Sequence, residues 1–115
     1  MTRRPPAIRV AEPKTYVLDN KGSPVYEPDM AKFGQFLVSE AKIVKQDTLP
    51  DGTFVSTVFM GVDYRSPPRL WETIIFGGPE DGYEKRYTNR AAAVRGHAAA
   101  LARAEAGLPR DEREL

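Results

Sequence analysis

Lys42-Ile-Val-Lys-Gln-Asp-Thr-Leu-Pro-Asp-Gly-Thr-Phe-Val-Ser-Thr-Val-Phe-Met60 decides the fold. Two β-prone runs, Lys42 to Asp47 and Thr53 to Met60, flank Leu49-Pro50-Asp51-Gly52. Proline presets the first turn angle and glycine accepts the positive one, so the stretch predicts a β-hairpin. On its second strand Val55, Thr57 and Phe59 share one face, while Phe54, Ser56, Val58 and Met60 share the other. Large apolar groups on both faces predict a central strand covered at least partly on each side.

Downstream, the loop Gly61-Val-Asp-Tyr-Arg-Ser-Pro-Pro68 leads to Arg69-Leu-Trp-Glu-Thr-Ile-Ile-Phe76, a third strand that pairs antiparallel with the second. Leu70, Glu72, Ile74 and Phe76 alternate with Trp71, Thr73 and Ile75. Gly82 to Arg86 reads as a polar link. Alanine then dominates from Arg90 to Ala106, which predicts a helix on intrinsic preference alone, with Thr88 as N-cap, Gly107 past its end, and a buried stripe of Ala91, Val94, Ala98 and Leu101. Upstream, Tyr16-Val-Leu18 and Val25-Tyr26 bracket a turn. Asp29 caps a short helix whose Met30, Phe33, Phe36 and Leu37 recur at helical spacing.

The expected architecture is α+β: an antiparallel three- to five-stranded sheet, a short helix near residues 29 to 38, and an alanine-rich C-terminal helix packed on the sheet. Residues 1–14 read as a Pro/Arg-rich arm, 15–106 as one folded domain and 107–115 as a charged tail. Ile8 and Val10, alternating with Arg9, could form a short edge strand, in the same chain or across a homodimer axis.

The 115 residues carry 17 Lys and Arg, 16 Asp and Glu, and no cysteine. A net charge of +1 disfavours a dedicated nucleic-acid binder, which needs a basic excess to displace counterions. Absent cysteine excludes a disulfide scaffold and a thiol nucleophile. No apolar run reaches membrane-spanning length and the N-terminus has no signal core, so neither membrane insertion nor export is expected. The charges are uneven: residues 64 to 103 hold seven Lys or Arg against four acids.

His97, the lone histidine, is the first candidate for chemistry, with Asp63 or Glu72 as acidic partners and Ser56 as a hydroxyl. No motif joins them. A metal set of His97, Asp63 and Glu72 would draw ligands from three scattered elements, so no metal or cofactor is expected. The competing reading of His97 is a half-buried side chain bonded to a strand carbonyl. Glu72 sits on an apolar strand face and needs a cation, for which Arg86, Arg90 and Arg95 are available. Lys85, Arg86 and Arg90 gather where the last helix begins. Arg86, Arg90, His97 and Tyr64 are therefore the candidate ligand-binding residues.

Val55-Ser-Thr-Val-Phe-Met-Gly-Val-Asp63, Pro67-Pro-Arg-Leu70, Trp71-Glu-Thr-Ile-Ile-Phe-Gly-Gly78, Arg86-Tyr-Thr88 and Gly96-His97 together resemble a family of small uncharacterised proteins of tailed bacteriophages. The similarity spans about residues 15 to 100. Tyr64 departs from it, standing where the family pattern has histidine, and Ala92-Ala93 stand in place of a Glu-Ala pair. The resemblance implies a viral accessory protein in the cytoplasm of an infected bacterium, and a cluster of Asp63, Glu72, Arg86 and His97. A non-catalytic binding module for a host protein, a second copy or a small anionic ligand is the first functional expectation. The alternative is a small enzyme using His97 with Asp63 or Glu72 on a phosphorylated or nucleotide-like substrate.

Overall fold

A computed structural model describes residues 13–107. The edge strand expected near Ile8 and Val10, and the charged tail after Gly107, lie outside the described residues. The fold is α+β, and its strands divide between two antiparallel sheets rather than forming one. In chain order the elements are β1 (Lys14–Leu18), β2 (Pro24–Tyr26), α1 (Met30–Leu37), a 3-10 turn (Glu40–Lys42), β3 (Ile43–Thr48), β4 (Phe54–Phe59), β5 (Val62–Asp63), β6 (Trp71–Phe76), β7 (Glu84–Tyr87) and α2 (Arg90–Ala106). The main sheet has the order β3-β4-β6-β7, and the small one β2-β1-β5.

The main sheet grows from the hairpin. Leu49 N–H donates to the Thr53 carbonyl at 2.8 Å, and Asp51 Oδ1 accepts the Thr53 N–H at 2.9 Å, which closes the turn. The register then sets Thr57 opposite Thr73 and Val58 opposite Glu72. Where the sequence predicts a polar link over 82–86, residues 84–87 form the edge strand β7, with Arg86 opposite Glu72. Only Tyr87 of that strand is buried, so its apolar signal is one residue long and no alternation announces it. Gly61, between β4 and β5, has φ +73°, and a side chain there would overlap the Tyr16 carbonyl and the Phe33 ring. The chain there passes from the main sheet into β5 of the small one.

Helix α2 covers one face of the main sheet. Asn89, not Thr88, is its N-cap, accepting the Ala92 N–H at 2.8 Å. Its buried positions are Ala93, His97, Ala100 and Ala104, one residue out of phase with the expected stripe, and Val94 is exposed. Gly96 sets this phase. A Cβ there would overlap the Tyr87 ring, so this turn of the helix sits directly on that tyrosine. One apolar cluster at the C-terminal end of α2 joins Leu49, Val55, Ile75, Ala100 and Ala104. The second, at the other end, joins Phe59, Leu70, Trp71, Tyr87 and Ala93, with Tyr16 and Phe36 bringing in the small sheet and α1.

The opposite face of the main sheet is open. Phe54 and Phe76 stack across it with ring centroids 6.1 Å apart, and Phe76 is about half exposed. Strand β4 is thus central but has a full cover on one side only.

Candidate functional site: a cationic cavity beside strand β7

The family resemblance implies Asp63, Glu72, Arg86 and His97 as one cluster. The structure assembles three of them and sets the fourth apart. Side chains alternate across a strand, so Glu72 projects from β6 onto the open face, whereas its neighbour Thr73 projects toward α2 and His97.

His97 lies in the interior, with 2% of its surface accessible. Its Nδ1 is 2.7 Å from Thr57 Oγ1 and its Nε2 is 2.7 Å from Asp47 Oδ2. Thr57 in turn contacts the Thr73 hydroxyl at 2.5 Å, and Tyr87 donates its hydroxyl proton to Thr73 at 3.2 Å. An acid, an imidazole and a hydroxyl in series have the connectivity of a nucleophilic relay. Here the hydroxyl belongs to a fully buried threonine and both ring nitrogens already have partners. With no open path to the hydroxyl and no free nitrogen, the series is a clamp between α2, β3, β4 and β6. The partners are Asp47 and Thr57, not the Asp63, Glu72 or strand carbonyl expected from sequence. Asp47 was legible in principle: the hairpin register sets it opposite Val55, a lone acid on the face that meets the only histidine.

Arg86 organises the other side. Its Nε donates to Glu72 Oε2 at 3.0 Å, and its Nη1 donates to the carbonyls of Val62 at 2.9 Å and Arg69 at 3.3 Å. Nη1 also lies 3.9 Å from Asp63 Oδ1. One guanidinium therefore joins β7, β6, β5 and the loop 64–69, and with them the two sheets. Glu72 is the cation-seeking acid that its apolar setting implied, and its partner is a neighbouring strand rather than the final helix. Burial pushes its carboxyl above the ordinary glutamate value, the adjacent Glu84 carboxyl adds to this, and Arg86 opposes both.

Asp63 holds the loop. Its Oδ1 accepts the Tyr64 N–H at 2.9 Å and its Oδ2 accepts the Arg69 N–H at 2.8 Å, so one carboxylate staples both ends of residues 64–69. Between this loop and β7 lies a cavity of about 400 Å³, walled by Arg65, Arg69, Lys85 and Arg86 with Asp63 and Glu84. Three guanidinium groups, of Arg65, Arg69 and Arg86, face two carboxylates, whereas Lys85, opposite Thr73, turns its ammonium back over the Tyr87 ring at 5.9 Å. Arg65 has no carboxylate within ion-pair distance among the described residues. Arg69 Nε is buried without a hydrogen-bond acceptor, 3.7 Å from Asp63 Oδ2. Such a donor is costly to leave unmade, and the nearby Asp63 carboxylate offsets part of that cost.

Of the ligand-binding candidates, Arg86 lines this cavity and Tyr64 lines an adjoining one of about 190 Å³. Arg90 is an exposed residue at the start of α2 that lines neither, and His97 is on the far side of the sheet. Arg65 and Arg69 join the site instead. Their signal was the pair of arginines bracketing Ser66-Pro67-Pro68, and the loop's closure on Asp63 is what turns that spacing into a cluster. No group of three or more His, Asp or Glu residues placed to hold a metal occurs among the described residues. Comparison with known proteins finds no matching family model, no similar curated protein and no similar solved structure.

Proposed function

We propose that this chain is a phage-encoded accessory protein acting as a non-catalytic binding module, which takes a small anionic ligand in the cavity between loop 64–69 and β7. The phage assignment rests on the sequence resemblance, and the place of action follows from it as the cytoplasm of the infected bacterium. No helix among the described residues is long and apolar enough to cross a membrane, which is compatible with that setting.

The observation that carries the ligand reading is the charge arrangement: three guanidinium groups around one cavity, with Arg65 in no ion pair among the described residues. Arg86 is held by Glu72 and two carbonyls, so its position is fixed before any ligand arrives. Preorganised cations bind an anion without the ordering cost that flexible surface lysines incur.

Titration with inorganic pyrophosphate, followed by calorimetry and by backbone amide shifts, tests this. Saturable shifts are expected at residues 63–66, 69 and 84–86. Arg65→Ala and Arg69→Ala, both in the loop, should each weaken binding by about tenfold or more. Amide shifts scattered over the surface, or none at millimolar pyrophosphate, would refute the site.

A further inference from the structure

We infer that the ligand is a phosphate bearing a flat heteroaromatic ring, of the mononucleotide class, with its phosphate in the cationic cavity and its ring against Tyr64. This rests on the anion-binding reading of the same site and extends it into the adjoining cavity.

The two cavities are continuous in chemistry. Asp63 and Arg65 line both, so a molecule filling one reaches the other across the Arg65 side chain. The smaller cavity has a different character from the first, with Tyr16, Tyr64 and Pro68 as flat walls and Ser66 and Lys14 adding polar groups. Tyr64 is 69% exposed, yet its backbone is held by Asp63. A large ring displayed on a fixed loop beside the unpaired Arg65 is a stacking platform, because every nucleobase offers a π-face to an aromatic side chain. Polar groups at the same cavity suit a ring with hydrogen-bonding edges better than a hydrocarbon. Together the cavities reach the size range of sites for ligands larger than a bare anion.

The near-neutral total charge fits this scale of ligand. A long nucleic acid needs a basic track, whereas one phosphate ester needs only the few cations gathered here.

Calorimetric titrations with adenosine 5′-monophosphate, ribose 5-phosphate and inorganic pyrophosphate, on the unmodified chain and on Tyr64→Ala, separate the two claims. The nucleotide should bind more tightly than ribose 5-phosphate by roughly fivefold to a hundredfold, the range that stacking of one base supplies. Tyr64→Ala, an exposed substitution, should close that gap while leaving ribose 5-phosphate affinity unchanged. Equal affinity for the two esters would overturn the ring assignment and leave the anion site standing. A gap that survives Tyr64→Ala would overturn the placement of the ring. Failure of all three phosphates to bind would remove both readings.

Discussion

Replacing His97 with alanine cuts the buried clamp at its centre, and the cost can be assembled from the contacts. The bond to Thr57 is fully buried and contributes about 1 kcal/mol net. The bond to Asp47 has a carboxylate acceptor that is one-third exposed, which discounts a charged hydrogen bond to about 1 kcal/mol as well. Removing the ring leaves a partly collapsible void costing about 1–2 kcal/mol more. The total is about 3–4 kcal/mol, and with a urea slope of about 2 kcal/mol per molar the unfolding midpoint should fall by about 1.5–2 M. Urea titration followed by far-UV circular dichroism measures it. His97→Gln, which can keep one partner, should fall in between. In the cycle with Asp47→Ala the two losses should be coupled by about 1 kcal/mol. A midpoint for His97→Ala within about 0.5 M of the parent, or strict additivity with Asp47→Ala, would show that the imidazole does not clamp the helix.

Gly96→Ala should destabilise by about 1–3 kcal/mol although alanine is the better helix former, because its methyl meets the Tyr87 ring; a thermal midpoint lowered by roughly 5–15 °C is the readout. Asn89→Ala should cost about 1 kcal/mol through loss of the α2 cap, again read from the thermal midpoint. For Glu72, the folded carboxyl lies above the ordinary value of 4.5, chiefly through burial. Its contribution is therefore fully present below pH 4.5 and lost as pH rises through the raised value. Thermal midpoints of Glu72→Gln minus those of the parent should climb as pH increases above 4.5, and a flat or falling difference would contradict the burial argument.

The hairpin at residues 42–60, the strand at 71–76 and both helices were legible because each carries its own local signal: a Pro-Asp-Gly turn, period-two alternation, a capped periodic face and an alanine run. Strand β7 was not, since its pairing to β6 is supplied by Glu72–Arg86 and Tyr87 rather than by its own pattern. The phase of α2 was not legible because six of its nine alanines lie off the buried face, so periodicity had little contrast. Gly96 and His97 hold the information, and only the position of Tyr87 reveals how. At the cavity, the acid-to-arginine contacts around Arg86 were foreseeable from an ionisable residue on an apolar face. The separation of His97 was not, because it depends on which side of the sheet the helix covers.

The surface that α2 presents to the sheet is almost without relief. Ala93, Ala100 and Ala104 are interchangeable methyl groups, and a slide of one turn, about 5.4 Å, would exchange one for another with little loss of apolar contact. Two positions break that degeneracy. His97 finds both Thr57 and Asp47 in one seating only, and Gly96 clears the Tyr87 ring in that same seating. The polar seam thus works as a detent on a smooth rod: it chooses among several shallow resting places for the helix. A substitution that fills the His97 site with carbon should keep the helix attached to the sheet while releasing its axial address.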